Sequence, residues 1–300
     1  LDEFTLYPLS AFPLFKLIKM KLSIAHLGPA GTYAEAAATA YAEYLVKTTP
    51  ESLKSSLCPY PSIAQTLWAV AKGEVHLGVV PVENSIEGSV SMTLDTLWQI
   101  DTLKIQQALV LPISHALISL ASRQEDIQVV YSHPQALAQC QEWLNQNLPQ
   151  VRQIATNSTT EALQHLDTER TACAIASERA ASLYQLPIIA HPINDYPDNC
   201  TRFWVVSLQP SPGGNYTSLA FSVPENKPGV LVKPLQLFAE RGINMSRIES
   251  RPTKRLLGDY LFFIDLEANT REESVASALT ELAAYTKQLK IFGSYSIIDR

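Results

Sequence analysis

Short apolar runs alternate with helical patterns up to residue 207, and the alternation stops at QPSPGGN, residues 209–215. Strand-like runs lie at Leu22–Leu27, 77–82, Val129–Ser132, 173–175 and 203–207, with helical patterns at 32–46, 62–72, 134–146, 158–166 and 177–184. Elements of this length in this order predict open α/β sheets covered by helices on both faces. Two prolines and two glycines within seven residues can extend neither a strand nor a helix, so 209–216 reads as a linker.

Beyond the linker the pattern changes. A strand at 217–223 precedes a helix at 229–240, and Gly242 stands where a helix C′ glycine belongs. A strand at 243–249 follows, then one that sets Tyr260, Phe262, Ile264 and Leu266 on a single face. A helix at 271–285 carries Val275, Leu279 and Leu282 at core spacing, and a last strand runs near 288–297. The order βαββαβ is that of a ferredoxin-like sandwich. The expected division is an α/β domain over 20–208 and a tail domain over 217–298. Capping boxes at Thr32/Glu35, Ser158/Glu161 and Thr270/Glu273 mark three helix starts.

A length of 300 residues suits two domains at roughly 100–200 residues each. With 46 % hydrophobic and 17 % charged residues, the composition is that of a globular chain. The formal charge of −6 argues against a nucleic-acid partner, which calls for a basic stripe. No apolar run approaches the roughly 18–20 residues that would cross a membrane. Cys58, Cys140, Cys173 and Cys200 show no CxxC spacing, which excludes zinc knuckles and dithiol motifs. A reduced, soluble, cytoplasmic protein is expected. Residues 1–19 begin with acidic groups and are broken by Pro8 and Pro13, unlike a signal peptide. They read as a loose extension ahead of a natural start at Met20.

Several constellations could carry chemistry. Gly28-Pro29-Ala30-Gly31-Thr32 follows the first strand and opens the first helix. Its glycines allow close backbone approach, and a helix N-terminus offers free N–H groups to an anion. The same residues also suit a tight turn with no ligand. Glu83, Asn84 and Ser85 end a buried strand, where open α/β sheets bind ligands, and they equally fit an Asx turn. In Ser132-His133-Pro134, the histidine reads as a cap or turn partner rather than a base, while Gln135 and Gln139 share one helical face. No metal site is expected, because no further His, Cys or carboxylate has ligand spacing. Arg202, in Asn199-Cys200-Thr201-Arg202-Phe203, opens an apolar strand and needs a partner. That partner is either a ligand carboxylate or a structural ion pair. Glu249-Ser250-Arg251-Pro252 reads as a charged turn closing a tail-domain strand.

Together, GPAGTYAE (28–35), VVPVENSIEG (79–88), SHPQALAQC (132–140) and NCTRF (199–203) resemble the prephenate dehydratase family. GVLVKPLQLFAERGINMSRIESRP (229–252) resembles an ACT regulatory domain, with counterparts of the GALV-like and ESRP effector motifs. The resemblance covers about residues 20–298. It implies a two-lobed, periplasmic-binding-protein-like α/β catalytic domain followed by the ACT domain. It implies loss of carbon dioxide and the ring hydroxyl from prephenate to give phenylpyruvate, with no metal or cofactor. On this resemblance Thr201 hydrogen-bonds the departing oxygen. A threonine is a weak acid at neutral pH, so a relay from Glu83 is one source of the proton. Arg202 grips a carboxylate or fixes the Thr201 loop. Asn84, Ser85, Ser132, Gln139 and Phe203 line the pocket, and backbone amides of Ala30, Gly31 and Thr32 complete the anion hold. Phenylalanine is the implied effector, held by Gly229, Val230 and Leu231 on one side and Glu249, Ser250 and Arg251 on the other. ACT domains would pair edge to edge in a homodimer or homotetramer.

Two residues depart from the family pattern. Pro234 falls inside the expected 229–240 helix, where a kink is anticipated. Val230 replaces the alanine of the GALV pattern. Two other readings share these features: an arogenate dehydratase, which would place a carboxylate against the substrate ammonium, and a non-catalytic amino-acid sensor.

Overall fold

The computed structural model describes residues 21–49 and 54–298; the expected extension at 1–19 lies outside the described residues. The first lobe runs β1 (Leu22–Leu27), α1 (Tyr33–Thr48), β2 (Ser55–Tyr60), α2 (Ile63–Ala71), β3 (Leu77–Asn84), β4 (Gly88–Ser89), α3 (Ser91–Gln99) and β5 (Lys104–Pro112). The second lobe holds β6 (Ala116–Ser119), β7 (Val129–Ser132), α4 (Pro134–Ala138), α5 (Gln141–Asn147), β8 (Arg152–Ala155), β9 (Ala172–Ala176), α6 (Glu178–Leu183) and β10 (Ile188–Ala190). The chain then returns to the first sheet as β11 (Cys200–Ser207). The tail follows as β12 (Tyr216–Ser222), α7 (Val232–Ala239), β13 (Met245–Pro252), β14 (Tyr260–Leu266), α8 (Glu273–Tyr285), β15 (Gln288–Tyr295) and β16 (Ile297–Ile298).

The first sheet is ordered β16-β5-β11-β3-β1-β2, with β4 paired to β3. Helix α1 covers one face, burying Ala34, Ala37, Ala38 and Tyr41 against Ile24, Val79, Phe203 and Val205. Helices α2 and α3 cover the other, through Leu67, Val70, Leu94 and Leu97 against Val80, Val82 and Trp204. Strand β2, SSLCPY, is absent from the expected runs; as an edge strand it tolerates Pro59. The second sheet is ordered β10-β6-β9-β7-β8.

The tail sheet, β13-β14-β12-β15, has the expected βαββαβ connectivity. Phe262, Ile264 and Leu266 face α7 and α8 as their alternation predicts. The opposite face is also buried: Ala220, Leu261, Phe263, Phe292 and Tyr295 join one core with Leu94, Leu97 and Trp204 of the first lobe. The final strand ends at Tyr295, and Ile297–Ile298 leave it to pair in parallel with β5 of the first sheet.

Three local expectations are corrected. Helix α7 starts at Val232, so Pro234 lies in the first turn, where no intrahelical bond needs its N–H, and the anticipated mid-helix kink does not arise. The Thr270/Glu273 capping box does not form. The Thr270 hydroxyl meets Ser294 Oγ at 2.9 Å, and α8 begins only at Glu273. The helical pattern at 134–146 divides into α4 and α5 at Gln139–Cys140, where Asp195 accepts hydrogen bonds from the Glu142 and Trp143 amides at 2.9 and 3.0 Å.

Candidate active site

The site is organised by a slip in one strand pair. Along β11 and β3, Thr201 faces Asn84, Arg202 faces Glu83, and Phe203 faces Pro81. Strand β3 therefore carries one extra residue, Val82, as a β-bulge, and a bulge re-aims the side chains beyond it. Val80 and Val82 share the α2/α3 face with Trp204. Beyond the bulge Glu83 joins Arg202 on that same face, and Asn84 joins Thr201 on the opposite one.

Asn84 is fixed at both ends of its carboxamide. Its Oδ1 accepts the amides of Ile86 and Glu87, both at 3.1 Å, which is the expected Asx turn. Its Nδ2 donates to Thr201 Oγ1 at 2.9 Å and to Asn199 Oδ1 at 2.9 Å. Ser85 Oγ donates to Asn199 Oδ1 at 3.3 Å and accepts from the Cys200 amide at 3.0 Å. Asn199 Nδ2 donates to Gln139 Oε1 at 2.9 Å, and that oxygen also meets His115 Nε2 at 3.1 Å. With two donors on Oε1 the Gln139 carboxamide has one orientation, and His115 is the Nε2–H tautomer. Gln139 is only 2 % exposed, yet its Nε2 has no hydrogen-bond partner. Burial lowers the His115 pKa below its ordinary 6.5, with the Gln139 hydrogen bond acting in the other direction.

His115 and Asn199 were not distinguished by sequence reasoning as site residues in their own right. They lie on the two crossovers between lobes, which run side by side: the Ile113 amide donates to the Asn199 carbonyl at 2.8 Å, and the Ile193 amide to the His115 carbonyl at 3.0 Å. The GPAGT loop meets the second lobe. The Ser177 hydroxyl donates to the Gly31 carbonyl at 3.2 Å, and the Tyr33 hydroxyl donates to the Ser114 carbonyl at 2.5 Å.

The remaining expected residues are placed as follows. The Gly31 amide donates to Glu35 Oε2 at 2.8 Å, so this N–H already holds the chain's own carboxylate; Glu35 in turn pairs with Arg179 across the lobes at 3.1 Å. Burial pushes Glu35 up, but Arg179 and the Gly31 amide outweigh it and hold the pKa below the usual carboxylate range. Thr32 caps α1, Ala30 is exposed, and the Ser132 hydroxyl donates to the Ile175 carbonyl at 2.6 Å. His133 caps α4 as expected. Phe203 is packed in the core beneath α1 rather than facing the cleft.

Glu83 and Arg202 pair with each other at 2.6 Å on the face turned away from Thr201. Arg202 also pairs with Asp265 of the tail at 2.8 Å. Of the two roles anticipated for Arg202, fixing the Thr201 strand matches this position and gripping a ligand carboxylate does not. Arg251 pairs with Asp95 of α3 at 3.0 Å, on the sheet face directed at the first lobe, whereas Ser250 lies on the helical face near which Gly229, Val230 and Leu231 precede α7. Glu249 shares the face of Arg251, so the β13 residues of this set divide between the two faces of the sheet. Among the described residues no cluster of His, Cys, Asp or Glu could hold a metal ion.

The fold is that of a two-lobed α/β protein with an appended βαββαβ domain, and a buried polar network joins the lobes. The model of the prephenate dehydratase family matches residues 24–211 and that of the ACT domain matches residues 217–284, and the chain belongs to the prephenate dehydratase family. A bifunctional chorismate mutase/prephenate dehydratase from Aquifex aeolicus is 41 % identical over 281 residues, covering 93 % of this chain and 74 % of its own length. A prephenate dehydratase from Methanocaldococcus jannaschii is 37 % identical, covering 93 % of this chain and all (100 %) of its own. The solved structure of an Arthrobacter aurescens prephenate dehydratase in complex with L-Phe superposes with a TM-score of 0.79 at 32 % identity, covering 92 % of this chain and 90 % of that one.

Proposed function

We propose that this chain converts prephenate to phenylpyruvate, water and carbon dioxide, with phenylalanine as its allosteric effector. The carrying observation is the buried donor set around Thr201. Asn84 donates to Thr201 Oγ1, so the threonine's own hydrogen is not engaged in that bond and is free to point at a leaving oxygen. The unpartnered Nε2 of Gln139 supplies a second donor a short distance along the same network.

In the reaction the ring carboxylate leaves as carbon dioxide, its bonding electrons flow into the ring, and the C4 hydroxyl departs as hydroxide, hydrogen-bonded by Thr201 and protonated to water by solvent on release. Aromatisation supplies the drive. The protein holds the dianion, donates hydrogen bonds to the developing hydroxide and excludes water. Thr201 is the donor to the departing oxygen, the unpartnered Gln139 Nε2 is the donor left for the substrate, and Asn84 and Ser85 orient Thr201 and Asn199. Glu83 faces away from Thr201, so the relay from that carboxylate is dropped from the mechanism.

The neutrality of the network favours prephenate over arogenate. Asn84, Ser85, Asn199, Gln139, Thr201 and neutral His115 include no carboxylate to meet an ammonium. Purified chain incubated with each substrate tests this: kcat/KM should favour prephenate at least tenfold. No turnover of either would leave a sensor.

Phenylalanine binding is proposed at the ACT domain, supported by the Arthrobacter relative's complex with L-Phe. Strand β13 is a sheet edge with Ile248 exposed, which suits pairing of two chains there into a homodimer or homotetramer. Sedimentation with and without phenylalanine checks this. Free, buried Cys140 and Cys173 accord with a reducing cytoplasm.

A further inference from the structure

We propose that Asp265, a residue of the ACT domain, is a positioning residue of the dehydratase site and acts on Thr201 through Arg202. The inference rests on the reading of Thr201 as the donor to the departing oxygen.

Asp265 lies in β14, fully buried, on the sheet face that meets the first lobe. Its neighbours on that face, Leu261 and Phe263, are apolar. Its carboxylate is nevertheless completely engaged. Oδ1 accepts from Ser218 Oγ at 2.6 Å and Arg247 Nη2 at 3.2 Å, and Oδ2 accepts from Arg247 Nε and Arg202 Nη2, both at 2.8 Å. Glu83 Oε2 takes the same Arg202 nitrogen at 2.6 Å. Two guanidinium groups thus balance two carboxylates between the domains.

A buried ion cluster gives little net stability over apolar packing of the same volume, so docking the tail sheet does not require one. What it adds is direction, because carboxylates fix a guanidinium at defined points. Arg202 Nε is buried without a partner, so the bonds of Nη2 to Glu83 and Asp265 set the orientation of this side chain.

The Arg202–Glu83 rung adjoins the Thr201–Asn84 rung on the same two strands. The two rungs point to opposite faces and share the peptide units 201–202 and 83–84. Any shift of Asp265 therefore moves the backbone that carries Thr201. Misplacement of a reacting group by about 1 Å can cost as much as ~10²-fold in rate. The ACT domain is in this sense part of the scaffold of the active site, and a displacement of its sheet reaches Thr201 with no contact to substrate.

The test is a double-mutant cycle in the full-length protein with prephenate as substrate, kcat and KM being measured alongside thermal melts. Asp265→Asn and Arg202→Met should each lower kcat about fivefold, with KM changed less than twofold. The double variant should remain within about twofold of the worse single variant, because both substitutions break one path. Multiplied losses of about 25-fold in the double variant, or an Asp265→Asn protein that melts early but keeps kcat within twofold, would overturn the proposal. If Asp265→Asn does not fold, Ser218→Ala withdraws one hydrogen bond from Oδ1 and leaves all four charges in place. It should lower kcat about twofold in the native background and not at all beside Arg202→Met; equal losses in both backgrounds sink the idea. Absence of turnover by the unmutated protein would instead refute the proposed reaction itself.

Discussion

Asn84 donates to Thr201 across β3 and β11 at 2.9 Å because β3 slips by one residue at Val82. In an unbroken ladder Asn84 would keep the phase of Val80 and point at the α2/α3 core. The slip places an amide on the cleft side and sends Glu83 to the ACT side. One bulge thus separates the groups proposed for chemistry from those that tie the two domains together.

Replacing Thr201 by alanine removes only a hydroxyl and a methyl group from a strand that is already paired on both sides. Folding should survive. Removing one positioned donor at a developing charge costs on the order of 10²–10³ in kcat, and a loss of that size is expected, with KM within a few fold. Steady-state kinetics beside a melting curve would decide it, and near-normal turnover would remove Thr201 from the mechanism.

His115 should matter for substrate binding through the orientation of Gln139. Glutamine at 115 can place its amide nitrogen near the position of the imidazole Nε2, while asparagine reaches only the Nδ1 position. His115→Gln should keep KM within about twofold, and His115→Asn should raise it about fivefold, equivalent to a net hydrogen bond of ~1 kcal/mol. Equal KM values for the two variants would exclude this role.

Stability should fall in two stages as pH drops. Burial lowers the pKa values of His26, His115 and His133 below their ordinary 6.5. Each is neutral when folded, so its share of stability is full above pH 6.5 and is lost as pH falls toward the depressed folded value. Asp265 behaves likewise in a lower window. Its burial alone would raise the pKa, but Arg247, Arg202 and Ser218 hold it below the ordinary 3.8, so its share is lost only under strongly acidic conditions. Melting temperatures from pH 8 to pH 2 should therefore show an early decline that begins as pH falls below 6.5 and that His115→Gln reduces, and a later one that begins only below pH 3.8 and that it leaves alone. An unchanged early decline in the variant would exclude His115 as a contributor.

Gly31 should resist substitution for two reasons. It adopts φ +86°, and an added Cβ would sit 2.9 Å from Thr160 Cγ2 and 3.3 Å from Ala180 Cβ, both in the second lobe. Gly31→Ala should cost ~1–2 kcal/mol for the left-handed backbone and should also hold the lobes apart. The expected kinetic effect is a rise in KM larger than the fall in kcat. A variant with native KM and melting temperature would show that the loop and second lobe yield freely.

Much of the fold was legible in the sequence because it depends on near neighbours. Alternating periodicity located β1, β7, β9 and most of α1, α2 and the tail. The QPSPGGN break separated the two patterns, and the His133 cap and the Asx turn at Asn84 followed from side chains reaching backbone a few residues away. The motif positions Asn84, Gln139 and Thr201 were also readable. The tertiary structure alone decided which way they point. The slip at Val82, the division of α4 from α5, and the placing of His115 and Asn199 on adjacent antiparallel crossovers each depend on segments that meet only after folding. Asn199 and Gln139 are 60 positions apart, and Arg202 and Glu83 are 119. Periodicity assigns faces within one element, but a single inserted residue reverses them, and the energy that favours the reversal comes from distant partners. For the same reason Arg202 could be read as a cation in need of a carboxylate, while the choice of Glu83 belonged to the slipped register of β3 against β11 and the choice of Asp265 to the packing of one sheet against another.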